Sequence, residues 1–405
     1  MANNLSASFQ EVRAREQQDI FMKKNVAMEI ADMSENPSMS RGDTLHRTYP
    51  SVSASAIPSV YTRGSAVTLK DITDTDETLT INKQFYHAFY LDDFDKIQNN
   101  YDAAVTYGKA YGTSLQSQID ADVLGEVMNA SSVVDAGDVG GTAWQGIDLS
   151  ISNVLSTITS CTKKLNKLNV YSNDRVGVVS PDFESVVSQY YGAKVTDLGD
   201  DVSQNGYFKS ISGYKLFSSN NLTASAVLGM ATNPTASDTV TIAGQVFTFV
   251  SSIGSTAGNV LIGGSADATR ANLATLINAP WTTTANGVAL TGDNLDKFVA
   301  RITATNNNTA DTLTVVAKGE SKLSVAETLT AGADVWTTTL QKQHCVFGVA
   351  KACTTLIVQK QPKVEVKEVP NMFGKNILNS VLYGVKTFAD NAKNMVRVEL
   401  KADTY

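Results

Sequence analysis

The strongest constraint on this 405-residue chain is a change of hydrophobic period at Asp92. Up to that point KQFYHAFYLDD alternates, with Phe85, His87, Phe89 and Leu91 on one face and Tyr86, Ala88 and Tyr90 on the other, as in a β-strand. Beyond it Phe94, Ile97, Tyr101, Ala104, Gly108, Tyr111, Leu115, Ile119, Val123 and Val127 recur every three or four residues. That spacing predicts a helix of roughly 35 residues, about 50 Å long. The strand is apolar or aromatic on both faces and is expected to be buried; a helix so long is expected to span its subunit as a scaffold. Asp92, Asp93 and Asp95 fall at the helix start, where carboxylates are favoured by the helix dipole, so a catalytic or cation-binding role is not needed to explain them. Gly108 and Gly112 mark close packing or a bend. His87 reads as a packed, hydrogen-bonded side chain and not as a catalytic base.

Upstream, residues 7 to 33 carry an imperfect helical stripe of Phe9, Val12, Phe21, Val26 and Ile30. SENPSMSRGDTLHRTYPSVSASAIPS follows, rich in serine and proline and without helical period, which reads as an extended arm. In SAVTLKDITDTDETLTINKQ, Val67 and Leu69 precede an acidic segment and Leu79 and Ile81 follow it, which predicts a hairpin with Lys70, Asp71, Asp74, Asp76 and Glu77 near a charged tip. Such a tip cannot enter its own core, so these five residues are the candidate inter-subunit contacts.

Downstream of VDAGDVGGTAWQG, residues 147 to 168 are helical in pattern. RVGVVSPDFESVV reads as a buried strand, a Ser-Pro turn and a helix opening on Pro181, and GYFKSISGYKLFSSNNL supplies a strand pair around Gly213. From Thr223 to about Gln341 threonine, asparagine, alanine and glycine dominate. Here DTVTIAGQVFTFV predicts a hairpin turning at Ala243-Gly244, and Ala266 to Ala279 predicts one helix packed through Leu273, Leu276 and Ile277. The earlier composition returns at Cys345, so residues 223–341 are expected to form a β-rich domain inserted into an α/β domain.

Function classes are narrowed by what the motifs lack. VLIGGSADATRANLATLIN runs from strand through glycines to helix, but Gly263 and Gly264 are adjacent, no Lys-Ser/Thr follows, and Asp267 occupies the first turn; this fails as a phosphate cradle. Ser265 is the expected N-cap. His46, His87 and His344 are the only histidines, and none accompanies a G-x-S-x-G elbow. His344, Cys345 and Cys353 lack a fourth ligand at metal spacing, and three scattered cysteines fit a reducing compartment. No enzyme activity, cofactor or metal is expected. A hydrophobic content of 42% supports real cores, the net charge of −7 argues against a surface that grips phosphate backbones, and neither a signal peptide nor a membrane span is expected.

The order of arm, charged hairpin, long helix, α/β unit and closing strands resembles tailed-phage major capsid proteins. RGDTLHRTYPSVSASAIPSVYTRGSAVTLKDITDTDETLTINKQFYHAFYLDDFDKIQ resembles their arm, extended loop and start of the spine helix, and ISGYKLFSSNNL the end of the first half of the axial domain. VFGVAKACTTLIVQ, KVEVKEVPNMFGKNI and SVLYGVKTF resemble the closing elements. The resemblance implies an α+β fold, the tailed-phage and herpesvirus capsid fold. It would divide the chain into an N-terminal arm (1–56), an extended hairpin loop with its adjoining strand (57–91), the spine helix (92–130), the first part of the axial domain (131–222), the inserted β-rich domain (223–341) and closing strands (342–405). Short-tailed-phage coat proteins with an inserted domain are the nearest in pattern. The implied function is structural: self-assembly as hexamers and pentamers into an icosahedral virion shell around double-stranded DNA, without sequence-specific binding, in the host bacterial cytoplasm. A separate scaffolding protein and a portal are implied partners, and a decoration protein is compatible with the pattern. Lys70 lies where some relatives crosslink, but no partner residue is identified, so the sequence does not decide whether subunits are crosslinked. A tail or adhesion protein is the rival reading of the threonine-rich segment; it requires β structure throughout. A nucleotide-binding enzyme is the weaker rival.

Overall fold

The computed structural model describes residues 25–36, 42–50, 58, 60–67, 74–94, 103–193, 210–370 and 372–402. The described chain enters through a 3-10 turn, Ala27–Glu29, and strand β1 (Ala31–Asp32). It continues through β2 (Thr44–Pro50), β3 (Asp74–Thr80) and β4 (Lys83–Asp92) to the long helix α1 (Ala103–Gly125). β5 (Ser132–Val134), α2 (Val154–Lys167), β6 (Arg175–Val179), α3 (Pro181–Gly192) and β7 (Tyr214–Ser218) form an α/β unit. The threonine-rich segment contributes β8 (Thr223–Gly229), β9 (Thr239–Ile242), β10 (Gln245–Val250), β11 (Asn259–Leu261), α4 (Ala266–Asn278), α5 (Gly292–Arg301), β12 (Ile302–Asn307), β13 (Thr312–Ala317) and β14 (Val325–Glu327). β15 (Lys342–Val349), β16 (Thr354–Glu368), β17 (Gly374–Lys386), α6 (Ala389–Lys393) and β18 (Met395–Lys401) close the chain.

Three apolar clusters hold these elements. The largest lies in the α/β unit and under α1, where Val123, Leu124, Val127, Phe183, Tyr214 and Phe347 are all buried. A second cluster belongs wholly to the threonine-rich segment, with Phe247, Phe249, Leu273, Ile277, Phe298 and Trp336. Leu79, Ile81, Ile357 and Phe388 make a small third one at the foot of β3. Local chemistry explains the boundaries. RVGVV is buried along its whole length, and the chain turns into α3 because the Ser180 hydroxyl accepts from the Phe183 N–H with Pro181 at the first helical position. β9 and β10 pair across Ala243 and Gly244, whose φ values of 52° and 89° are those of the mirror-image turn that suits strand twist. The predicted hairpin and its Phe247/Phe249 face are therefore observed.

Several expectations need correction. The helix predicted over 147–168 begins only at Val154, because Ile147 is captured by β18: its N–H donates to Glu399 O and its carbonyl accepts from the Lys401 N–H. The threonine-rich segment carries two helices, not one; α5 escaped notice because GDNLDKFVAR places only Leu295, Phe298 and Val299 on its apolar side. Its strands divide between two sheets. β11-β10-β9-β14 form a small sheet of their own, whereas β12, β13 and β8 extend the α/β sheet in the order β12-β13-β8-β15-β18-β5, with β6 and β7 off β15. The strand pair expected around Gly213 is a single bridge, Ile211 to Tyr214, and β7 instead runs parallel to β6. Of the predicted 92–128 helix, Asp93, Phe94 and 103–125 are α-helical and Glu126–Asn129 tightens to a 3-10 turn; residues 95–102 lie outside the described residues.

An alanine at φ 52° is strained relative to asparagine or glycine. Ala243→Asn is therefore expected to raise stability by up to about 1 kcal/mol, read as a higher urea midpoint with unchanged slope.

Candidate assembly surface and the helix behind it

The acidic hairpin is wider than its sequence implied. Asp74–Thr80 is a strand, not a tip, and its partner is Thr44–Pro50 in antiparallel register, with His46 opposite Thr78 and Thr48 opposite Asp76. Residues 65–67 are exposed and outside any strand, whereas β2 offers the acidic strand its charge partners; Leu69 lies outside the described residues. Asp76 Oδ2 lies 2.8 Å from His46 Nδ1, and the Tyr49 hydroxyl donates to Glu77 at 3.0 Å. Glu77 also accepts from the Ala389 N–H at 3.1 Å, and Lys386 donates to Thr78 O at 2.7 Å. Two of the five candidate contacts, Asp76 and Glu77, thus hold their own subunit together. Asp74 is exposed at the end of β3; Lys70 and Asp71 lie outside the described residues. The connection between β2 and β3 shows apolar side chains to solvent, with Val60 95% exposed and Val67 72% exposed beside Tyr61.

β4 is an edge strand in the order β1-β16-β17-β4. The expectation that both its faces are buried is not met: Phe85, His87 and Phe89 turn inward, while Tyr86 is 73% exposed and Tyr90 also faces out. Only the inner face has α1 against it. His87 stacks on Tyr111 with ring centroids 4.7 Å apart, and burial lowers its pKa, so it is packed as predicted. Asp92 caps the turn out of β4 by accepting from the Phe94 N–H at 2.9 Å, which is the structural role expected of it.

The residues that fix α1 were not found from sequence. Asp120 and Asp122 are buried, and two residues apart on a helix place them about 200° apart. Asp120 Oδ1 accepts from the Val26 and Ala27 N–H groups at 2.7 and 2.6 Å, and Oδ2 accepts from Asn221 at 2.8 Å. Asp122 receives Lys83 at 2.8 Å, Lys318 at 3.4 Å and the Tyr383 hydroxyl at 2.5 Å. Burial alone would raise the Asp122 pKa, but Lys83 and Lys318 hold it below the usual carboxylate range. A detectable signal was present: IDADV sets two acids beside the apolar stripe Leu115, Ile119 and Val123, where solvated acids would not be needed. Gly108 and Gly112 do permit close packing, since a Cβ there would stand 3.3 Å from Val364 and 3.2 Å from Asn379.

The glycine turn before α4 is likewise occupied by the protein itself. Ser265 caps the helix through the Ala268 N–H, as predicted. Thr269 accepts from the Gly263 N–H and donates to Asn233. Arg270, which sequence reasoning passed over, is fully buried and bonds Asp267, Asp311, Asn306 and Met230 O. A Cβ on Gly263 would meet that of Ala268 at 2.6 Å, so this glycine serves strand-to-helix packing.

His344 and Cys345 point apart. The His344 Nε2 lies 2.8 Å from Ser225 Oγ, while Cys345 packs in the main core. His344 pairs across the ladders with Thr223 and Glu399, tying β8 into the α/β sheet. The Ser225–His344 pair is buried, and Glu399 is engaged by Lys342 and Arg397, so these residues form an internal polar layer and no substrate-facing triad.

No family model and no curated protein matches the chain. Solved structures do. A structure from Mycobacterium phage Che8 superposes with a TM-score of 0.57 at 14% identity, covering 98% of each chain. The capsid structure of cyanophage P-SCSP1u gives 0.57 at 12% identity over 100% of this chain and 96% of that one. The mature capsid of bacteriophage PhiM1 gives 0.54 at 10% identity, covering 98% and 93%. The fold is that of a phage capsid subunit. Within this capsid fold, α1 is the long helix beneath the β1-β16-β17-β4 sheet, and the β2–β3 hairpin departs from the same end as Lys83.

Two measurements test these assignments. Asp120→Ala removes the acceptor for two backbone N–H groups and Asn221, and is expected to cost about 3 kcal/mol and to expose residues 25–31 to protease. His344 has its pKa lowered, first by burial and then by Arg397 and Lys342. An unfolded chain takes up this proton as pH falls through 6.5 while the folded chain does not, so stability is complete above that pH and declines below it. His344→Gln keeps a donor for Ser225 and should flatten the decline between about pH 6.5 and 5, measured by urea titration at each pH.

Proposed function

We propose that this chain is a major capsid protein, assembling as hexamers and pentamers into the icosahedral shell that encloses a phage double-stranded DNA genome. The observation that carries the reading is the near end-to-end coverage, in both directions, by structures that include phage capsids. Little of the chain is left over for a different activity. Its role is structural and not catalytic: the glycine turn is filled by Thr269, Asn233 and Ser265, and the serine-histidine pair is internal. A tail or adhesion protein would not need a helix such as α1 buried under a mixed sheet.

Assembly physics supports the same reading. The β2–β3 connection exposes Val60, Tyr61 and Val67, the β4 edge exposes Tyr86, and the β16–β17 turn exposes Met372. Apolar groups held away from their own core gain stability only against another surface, and weak contacts repeated over a lattice add by multivalency. Lys70, Asp71, Asp74, Asp76 and Glu77 are the inter-subunit candidates of the acidic segment, Asp76 and Glu77 having partners inside the subunit as well. A net charge of −7 lets packaged DNA lie against the wall without being gripped. A separate scaffolding protein, a portal and, on some lattices, a decoration protein are the partners of this reading, with the virion shell as its location and the host cytoplasm as its assembly site. The body built on the second core, residues 224–336, is then an inserted domain fused to the axial sheet through β8, β13 and β12.

Expression of the chain with and without a co-encoded scaffold, followed by electron microscopy, tests the proposal. Closed shells of uniform diameter are expected. Small oligomers or fibres under every condition would overturn it.

A further inference from the structure

Asp122, on α1, is shared between the β4–β17 ladder and the threonine-rich segment. Lys83 and Tyr383 stand directly opposite each other in the β4–β17 ladder, so both side chains leave the same face of the sheet and reach the carboxylate. Lys318 arrives from the other side, one residue after β13. Both ammonium groups use the same oxygen, Oδ1, at 2.8 Å for Lys83 and 3.4 Å for Lys318. The carboxylate is fully buried.

The Lys318 end of this contact is a built dock. Gly319 has φ 71° and brings its backbone so close to α1 that a Cβ would stand 2.8 Å from that of Ala121. The Lys318 stem lies over Gly125, where a Cβ would come within 2.7 Å of it. Arg301 donates to Gln118 at 2.8 Å, Gln118 donates to Ala300 O at 3.3 Å, and the Lys318 N–H donates to Arg301 O at 2.9 Å. Residues 118, 121, 122 and 125 form one helical face, and the 224–336 body rests on it.

We propose that Asp122 is a transferable counter-ion: displacement of Lys83 at the base of the hairpin hands the carboxylate to Lys318 and tightens the 224–336 body on α1. Two cations on one oxygen repel each other, and that repulsion offsets part of each one's attraction to it. Loss of either leaves the full charge of a buried carboxylate to the one remaining. Tyr383 holds Oδ2 throughout, so the carboxylate stays in place while its cation changes. The coupling is therefore opposed in sign: loosening at β4 strengthens the dock, and loosening at the dock strengthens β4. Arg301 is the third cation near this group and stays with Gln118.

The test is amide hydrogen exchange on the full-length subunit, a measurement independent of whether the subunit forms shells. Lys83→Met and Lys318→Met keep the aliphatic stems and remove one cation each. Lys83→Met should slow exchange at residues 318–320 by about threefold or more, and Lys318→Met should do the same at residues 83–85. Asp122→Asn should speed exchange at both places. If one methionine variant does not fold, the other still decides, because each makes its own prediction at a site remote in sequence. Unchanged or faster exchange at 318–320 in Lys83→Met, or at 83–85 in Lys318→Met, would overturn the proposal in favour of a static ion cluster.

Discussion

Burying a carboxylate in the middle of a long helix is costly unless charge and hydrogen-bond donors are brought to it, and this chain does it twice within three residues. Asp120 and Asp122 face nearly opposite ways on α1, so their partners must come from opposite sides. Those partners are distant in sequence: the Val26–Ala27 backbone and Asn221 for one, Lys83, Lys318 and Tyr383 for the other. Apolar packing along Leu115, Val123 and Val127 could tolerate some sliding or rotation of the helix. The aspartates cannot, because a turn of the helix would leave two buried charges without partners. The two carboxylates thus fix how the entering chain, the β4 sheet and the 224–336 body meet.

The acidic strand shows a related economy of charge. A run such as DTDET would be read as solvated on composition alone, yet its register against β2 places Asp76 beside His46 and Glu77 beside Tyr49. Alternation in β3 sends Leu79 inward to Ile357 and Phe388. Arg47, from β2, lies 4.6 Å over the Phe388 ring and within ion-pair reach of Asp32 and Glu35. The foot of the hairpin is consequently anchored by charge and by a small apolar cluster, while the described residues of its far connection, 58 and 60–67, are exposed.

Local chemistry was legible in the sequence, and long-range pairing was not. The Ser180-Pro181 start of α3, the Ser265 cap of α4, the Ala243-Gly244 turn and the Phe247/Phe249 face all depend on residues within a few positions of each other, and they were read correctly. The partner of β3 was misassigned because the nearer apolar pair, Val67 and Leu69, fits the alternation as well as Leu45 does, and only the pairing of charges distinguishes them. α5 was missed because its short apolar side is completed by contacts with β12 and α4. Arg270, Asp120 and Asp122 were passed over for a shared reason. A charged residue within a helix is usually solvated, and its burial follows only from where carboxylates, lysines and carbonyls roughly 30 to 260 residues away come to rest. The order of elements along the chain, by contrast, survived every one of these errors, and the capsid fold rests on that order.

Continuity of the large sheet changes what the threonine-rich segment can be. Its buried residues form a cluster of their own, but β8 lies between β13 and β15 and supplies Ser225 to His344. A body tethered by two loops could be gained or lost without consequence for its host; one that shares a sheet cannot, because removing β8 would strip the first half of β15 of a neighbour and leave His344 buried without its serine. The segment is also held at α1 through Gly319, Arg301 and Lys318. With sheet continuity on one side and the helix dock on the other, the 224–336 body has two attachments that meet on the scaffold of the subunit. Forces applied to the hairpin base therefore reach it through Asp122, and forces applied to the body reach the α/β sheet through β8.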